Sequence, residues 1–351
     1  MHLFNTLSNF CPKVKSELLS YSLKAGFIFL PVLIGSILFI SAECLGQVSP
    51  VYSKHYNYEQ FVNPAITGRD RYPLVSISHK RNWIGTQNAP NTTCAGGSFR
   101  LGEFDFYTPA KMLNKSHFLS RDRMGFGGFA MVEQNGPMNQ FYSSLTYAYF
   151  IPLNANRTTE LSFGLAAQLQ RCWVNEGLLD PIDPGDPELV NLNKLPYRAD
   201  GDFGIYFHTR QFHVGGSINE LFHTTSPLDD SRYVENSMDF FFQTGYKFYL
   251  RYFDFEPSVF LAIIDKDPLY HYSQFKFFYQ RYNWLAIAYK STRTLSVSVG
   301  FRIGRLHLAY AYEQSISSMS NYFSGSHEVM LGLNIGLFEP EGLRKTAKRK
   351  P

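Results

Sequence analysis

The chain has 351 residues and a formal net charge of +4, with 33 basic and 29 acidic side chains spread along its length. This spread argues against a nucleic-acid partner, which would require a concentrated basic face. Aromatic residues make up 17% of the chain, with 32 Phe and 23 Tyr against 3 Trp, and there are 26 Gly. Such a composition favours strands and turns, while the length is compatible with two soluble domains or with a single closed sheet.

The first 46 residues have the features of an export signal. Three lysines precede the uncharged apolar run 25–42, and the small residue Gly46 suits the position before a cleavage site. The sequence therefore predicts a signal peptide over residues 1–46, with the mature chain starting at Gln47. A retained N-terminal helix is the alternative, because the apolar run approaches the roughly 20 residues of a membrane-spanning helix.

Apolar residues alternate with small or polar residues in many segments of the remaining chain. In the last of these, HEVMLGLNIGLF, the odd-numbered residues such as Val329 and Leu331 are bulky and apolar, whereas Gly332 and Asn334 belong to the other row. The candidate strands lie near residues 73–80, 92–101, 123–132, 139–151, 158–173, 199–209, 212–221, 238–249, 253–264, 275–282, 284–291, 294–303, 306–314 and 327–338.

The second row of each strand distinguishes a soluble sheet from a membrane barrel. On a soluble sheet the row facing water is usually rich in Lys, Glu and Thr, but here it consists mostly of Gly, Ser, Ala and Gln, which suit a crowded barrel interior. No segment after residue 46 is a continuous apolar run of helix-spanning length, and lipid does not tolerate open sheet edges. We therefore predict an all-β fold, a transmembrane antiparallel β-barrel over residues 73–338 with about 14 strands, 12–16 being possible.

The connections between these strands differ in length. Those at Thr292-Arg293 and Gly304-Arg305 are short enough for tight hairpins. The long connections are 102–122, 174–198 and 222–237. We expect the short turns on one side of the barrel and the long loops on the other, as in known membrane barrels.

Few residues suggest chemistry. Asp180, Asp183 and Asp186 lie in an acidic, proline-rich loop and are a candidate for calcium, although their spacing is not that of an EF-hand. The His residues do not pair at ligand spacing, and the sequence contains neither a nucleophile elbow nor a phosphate-binding loop. The sequence therefore predicts no catalytic residues, no cofactor and no further metal site, so we expect the chain not to be an enzyme.

Three short motifs occur in a characteristic order. Residues 61–68 read FVNPAITG, residues 81–85 read RNWIG, and residues 325–328 read GSHE directly before the last strand. In order and spacing they resemble the motifs of the PorP/SprF family of type IX secretion system membrane proteins, including its N-P-A-x-x-G opening, and the resemblance covers most of residues 55–338. The matching motif positions are Asn63, Pro64, Ala65, Gly68, Arg81, Trp83, Gly85, Gly325, Ser326, His327 and Glu328.

The resemblance implies an outer-membrane barrel of Bacteroidota that takes part in type IX protein secretion or gliding motility. It implies outer-membrane lipid, a secreted cell-surface or adhesin-like protein and periplasmic secretion components as partners, and it brings no catalytic residues. Residues 47–72 would then be a periplasmic segment or a plug, and residues 339–351 a basic C-terminal tail. The sequence does not show which cargo protein is served, or whether the lumen is plugged or open.

A diffusion channel or solute porin is the alternative function. Such a channel would need a wide lumen with charged constriction residues. Arg302, Glu313 and Glu328 are the residues whose charges could line it.

Overall fold

The computed structural model describes the part of the chain that forms the predicted barrel. The described residues are 59–70, 73–101, 123–155, 157–179, 197–222, 238–250, 252–264, 269–279, 283–317, 320 and 323–335. The predicted signal peptide and the basic tail lie outside these ranges, as does Phe338 at the end of the last predicted strand.

Fifteen strands follow a short helical segment in the described ranges. The helix α1 (Glu59–Val62) and a 3-10 turn (Pro64–Ile66) come first, and a second 3-10 turn (Glu176–Leu178) follows the fifth strand. None of the helices in the described ranges is long and apolar enough to cross a bilayer. The strands are β1 (Leu74–Arg81), β2 (Asn91–Arg100), β3 (Met124–Asn135), β4 (Met138–Pro152), β5 (Glu160–Val174), β6 (Arg198–His208), β7 (Phe212–Asn219), β8 (Asp239–Tyr246), β9 (Phe248–Tyr249), β10 (Asp254–Ile263), β11 (Tyr270–Tyr279), β12 (Asn283–Lys290), β13 (Thr294–Ile303), β14 (Leu306–Ser315) and β15 (Ser326–Asn334).

The strands form a closed antiparallel barrel. Apart from β8 and β9, neighbours in sequence pair with each other, and β15 pairs with β1, with Leu74 opposite Asn334 and Arg81 opposite His327. The short β9 pairs with the start of β10 and β8 pairs with its end, so β8 and β9 together occupy one position in the wall. The barrel therefore has 14 wall positions, which confirms the predicted fold and strand number.

The two faces of the wall have opposite character. In β15, Val329 is 57% exposed and Leu331 46%, whereas Glu328 is 2% and Asn334 3% exposed. The same division holds for most of the wall, with bulky apolar residues outside and small or polar residues inside, except where an aromatic cluster fills part of the lumen. The predicted orientation of the last strand is confirmed, and its physical cause is that the outer surface meets acyl chains while the inner surface is crowded by opposite walls.

Short and long connections occur at both ends of the barrel. We call the end where β1 begins the proximal end and the end of the β1–β2 connection the distal end. Successive connections alternate between the ends because neighbouring strands are antiparallel. Thr292-Arg293 and Gly304-Arg305 are successive, so they lie at opposite ends, and the long connection after β2 is proximal whereas those after β5 and β7 are distal. The predicted segregation of turns and loops is therefore wrong.

One strand begins earlier than the sequence pattern indicated. β11 starts at Tyr270, five residues before the predicted start at residue 275. Tyr270 and Tyr272 point into the lumen and are buried in its apolar cluster. Because the inward row here is aromatic, the alternation of apolar and small residues that marks the other strands is missing.

Candidate functional site

The first motif lies inside the barrel, where Asn63 organises the local backbone. Its side-chain oxygen accepts a hydrogen bond from the backbone N–H of Ala65 at 3.0 Å, which caps the 3-10 turn that Pro64 begins. Asn is a favoured cap and Pro a favoured first helical residue. The Asn63 amide also donates to the carbonyl oxygens of Ile205 and Gly216, at 3.2 and 3.3 Å. This single side chain therefore joins its own turn to two wall strands.

Wall hydroxyls hold the backbone of the same segment, which we call the lumenal segment (residues 59–70). The Ser162 hydroxyl of β5 donates to the Ala65 carbonyl, and the Ser217 hydroxyl of β7 donates to the Val62 carbonyl, both at 2.7 Å. Carbonyls buried away from water need such partners. These two inward-facing serines are thus specific hydrogen-bond partners of the lumenal segment.

Glycines on the wall make room for the lumenal segment. A Cβ at Gly164 would lie 2.1 Å from the Ala65 nitrogen, and one at Gly204 would lie 2.1 Å from the Asn63 side-chain oxygen. At Gly125 it would lie 2.1 Å from the Thr67 carbonyl oxygen. Sequence reasoning explained the inward glycines only as small residues for a crowded interior, but these three positions fit one particular backbone.

An ion pair fixes the end of the lumenal segment. The Arg69 guanidinium lies 2.8 Å from the Glu59 carboxylate and donates a hydrogen bond of 2.8 Å to the Tyr206 hydroxyl of β6. The preceding Gly68 has φ +75, which favours glycine because it has no Cβ. The segment is thereby held at both of its ends as well as at Asn63.

An apolar layer crosses the lumen next to this segment. The Phe61 ring lies 4.6 Å from Phe129 and 4.7 Å from Tyr142, measured between ring centroids. One contiguous cluster extends from these residues of β3 and β4 to Phe260 and Tyr272 on the opposite wall, and each member is at most 5% exposed. The described residues at this level therefore pack as a core rather than line an open channel.

Two buried ionic clusters occupy other parts of the inner wall. Glu313 of β14 accepts from Lys80 of β1 at 2.8 Å and from Lys290 of β12 at 2.7 Å. Elsewhere Arg100 forms a bidentate pair with Glu160, with both distances 3.0 Å. The sequence pattern had suggested Glu313 only as a constriction charge and had not indicated its lysine partners, because these residues are far apart in the chain.

The second and third motifs meet at the seam between β1 and β15. Arg81 is opposite His327, and inside the wall Lys80 is opposite Glu328. Beyond the strands, the Ile84 N–H donates to the Gly325 carbonyl at 2.9 Å, and the Ser324 N–H donates to the Ile84 carbonyl at 2.8 Å. The two motifs, more than 240 residues apart, thus extend the closing pair of strands at the distal end.

Trp83 has a structural role in this seam. Its backbone N–H donates to the Ser326 hydroxyl at 3.2 Å, and its ring lies 5.9 Å from that of Phe323. Both Trp83 and Gly85 have positive φ, at 48 and 99. The motif therefore shapes the turn that leaves β1 and contacts the residues that lead into β15.

Comparison with known proteins identifies the family. The family model described as "Type IX secretion system membrane protein PorP/SprF" matches residues 45–333. The chain belongs to the PorP/SprF family. As a PorP/SprF protein with a closed barrel, it is a type IX secretion system protein of the outer membrane. All three predicted motifs fall within the matched region.

Solved outer-membrane proteins are only distantly similar to this PorP/SprF protein. Omp33 of Acinetobacter baumannii aligns at 6% identity with a TM-score of 0.42, over 76% of this chain and 100% of its own. A FadL homologue of Pseudomonas aeruginosa aligns at 9% identity with a TM-score of 0.39, over 77% of this chain and 91% of its own. Comparison with curated proteins finds no match.

The candidate calcium ligands of this PorP/SprF protein cannot be placed in the site. Asp180, Asp183 and Asp186 lie outside the described residues. Within the described ranges, no group of three or more His, Cys, Asp or Glu side chains could hold a metal ion.

The seam offers a test of the third motif. Gly325 has φ +88, and a Cβ there would lie 2.7 Å from the Glu313 carbonyl oxygen. We expect Gly325→Ala to lower the free energy of unfolding by about 2–3 kcal/mol, part from the left-handed backbone and part from the close contact. Urea unfolding of the barrel in detergent micelles measures this loss.

Gly136→Ala is the matched control for that variant. Gly136 also has positive φ, at 58, but a Cβ added there would have no atom of the described residues within 4 Å. It should therefore lose only the backbone contribution of about 1 kcal/mol. Equal losses in the two variants would show that the seam contact at Gly325 is unimportant.

Proposed function

We propose that this PorP/SprF protein is a non-enzymatic partner barrel, which anchors or receives secreted cell-surface proteins for the type IX secretion machinery and for gliding motility. The observation that supports this role best is the apolar layer across the lumen, which includes Phe61 of the lumenal segment. A barrel with such an interior is suited to present its two ends and its loops to other proteins. Secreted surface proteins and periplasmic secretion components are the partners that we propose.

The interior charges also favour a partner barrel over a diffusion channel. A selective constriction needs charges that face a water-filled path. Glu313 is instead 7% exposed and paired with two lysines, and Glu328 is 2% exposed. The Arg302 side chain donates to the Gly304 carbonyl at 3.1 Å, at the proximal turn. These three candidate charges therefore do not form a ring around an open lumen.

The domain boundaries are part of the same proposal. Residues 1–46 would be removed on export, and residues 47–72 would act as a plug, of which the lumenal segment is the described portion. The tail 339–351 would remain in solvent. Mass spectrometry of the intact protein from purified outer membranes tests the first step, because a mature chain starting at Gln47 has a distinct mass.

Co-purification tests the partner role directly. A tagged full-length chain is expressed in its own host, solubilised from outer membranes and analysed by mass spectrometry, with an unrelated tagged outer-membrane barrel as the control bait. We expect a secreted surface protein and periplasmic secretion components to be enriched over the control. Deletion of the gene should remove the same surface protein from the cell. Enrichment of neither class would contradict the proposal.

Conductance distinguishes the channel alternative. The purified barrel, inserted into planar lipid bilayers, is expected to show no steady conductance, because a layer of buried apolar side chains crosses the lumen between the described walls. A general porin inserted in the same bilayers serves as the positive control. Stable ohmic steps from the purified chain would favour the diffusion channel and count against the partner barrel.

A further inference from the structure

A band of hydrogen-bonding side chains crosses the outer surface near the distal end. Cross-strand pairs place one such residue on each of six adjacent strands at the same level. Four residues nearer the middle of five of these strands, the corresponding surface is apolar and includes Leu331, Ile77 and Ala95, whereas β4 has Ser143 at this level. The band consists of Tyr312, His327, Arg81, Asn91, Gln134 and Asn139. It marks the level at which the outer surface leaves the hydrocarbon and meets polar headgroups.

The permanent charge in this six-residue band is the guanidinium of Arg81. Arg81 is exposed at the end of β1, and its side chain forms no ion pair or hydrogen bond in the described part of the chain. Its neighbours across the strands are His327 and Asn91, neither of which is acidic. A guanidinium on the lipid-facing side of a barrel is destabilising within the hydrocarbon but is tolerated at the interface, where anionic headgroups attract it.

A cleft beside Arg81 has the same chemical character. Its volume is about 370 Å³, and it lies between the β1–β2 connection and the outer face of the first three strands. The connection is held there by the Asn88 carbonyl, which accepts from the Gly136 N–H at 3.3 Å. Arg81, His79, Asn91 and Gln134 all line the cleft, and none of its described lining residues is acidic. A cleft with one guanidinium, one imidazole and several amides suits an oxyanion with many acceptor oxygens.

We propose that this cleft binds the phosphate of a membrane lipid headgroup, with Arg81 as the main ligand. Guanidinium and phosphate match in charge and in geometry. The apolar surface four residues away would hold the acyl chains of the same molecule. A free phosphate ion offers the same oxygens but makes no contact with that apolar surface. Only a lipid has both a phosphate for the cleft and acyl chains for the surface beside it.

A titration with short-chain lipids tests the site. The full-length mature chain in detergent micelles is titrated calorimetrically with dioctanoyl phosphatidic acid, and separately with dioctanoylglycerol and inorganic phosphate. We expect phosphatidic acid to bind more tightly than either of the others. Arg81→Gln should weaken its binding about fivefold, and Arg81→Lys should retain most of it because the charge remains.

The matched control makes the same charge change at the proximal end of the barrel. Arg210→Gln alters an exposed arginine in the proximal connection between β6 and β7 and should leave the affinity unchanged. All variants are checked for folding by their heat-dependent migration on denaturing gels. Equal weakening by Arg210→Gln, equal binding of dioctanoylglycerol, or equal binding of inorganic phosphate would each overturn the proposal.

Discussion

Replacing Gly164 with valine is expected to detach the lumenal segment and to lower the free energy of unfolding by about 3 kcal/mol. A Cβ at this position would lie 2.1 Å from the Ala65 nitrogen and 2.2 Å from the Pro64 carbonyl carbon. The strand cannot move away easily, because β5 is paired on both sides with β4 and β6. The segment must therefore leave the wall and lose its contacts with Ser162 as well.

Two measurements test the effect of Gly164→Val. Urea unfolding in detergent micelles gives the loss of stability. Trypsin cleavage after Arg69 reports the position of the segment, because in the native barrel this side chain is paired with Glu59 and Tyr206. We expect rapid cleavage at Arg69 in Gly164→Val and slow cleavage in the unchanged chain.

Gly128→Val is the control for the same substitution on the outer face. A Cβ at Gly128 would lie 3.6 Å from a methyl group of Leu145, which is an ordinary contact. This variant should retain the stability and the protease resistance of the unchanged barrel. If both valine variants behave alike, the close fit between Gly164 and the lumenal segment does not stabilise the protein.

Replacing Glu313 with leucine is expected to lower the free energy of unfolding by about 3–5 kcal/mol, because it leaves buried charges without their partner. The carboxylate accepts from Lys80 at 2.8 Å and from Lys290 at 2.7 Å, and all three side chains are less than 10% exposed. Its removal breaks both ion pairs and leaves Glu328, opposite Lys80, as the nearby carboxylate. Urea unfolding in micelles measures the effect.

Lys290→Met provides the comparison within the same cluster. This change breaks one ion pair and leaves Glu313 bonded to Lys80. The loss of stability should therefore be clearly smaller than in Glu313→Leu. A Glu313→Leu variant as stable as the unchanged chain would show that the cluster does not stabilise the wall.

The strands could be recognised from the sequence because each of them faces two different environments. In β13 and β15 bulky apolar residues alternate with mostly small or polar ones, Met330 being the exception, and period two then determines both the strand and the side that faces lipid. The pattern was insufficient in β11, where Tyr270 and Tyr272 face inward. There the lumen is filled by an aromatic core, so apolar side chains occur on both faces.

The motifs were recognised from the sequence, but their positions were not. Asn63 and Pro64 were recognised as motif positions, and the structure shows that they form a 3-10 turn against Gly204 and Gly164 of the wall. Likewise Trp83 and Ser326 belong to different ends of the chain and meet only because β15 closes the barrel on β1.

The sequence by itself determined the class of fold, the approximate number of wall positions and the outward face of most strands, because these depend on local alternation and on the exclusion of open edges from lipid. The tertiary structure alone decided which small residues receive the lumenal segment, which lysines pair with Glu313, and that an apolar layer crosses the lumen. These features depend on contacts between residues that are distant in the chain, and the closure of the barrel brings them together.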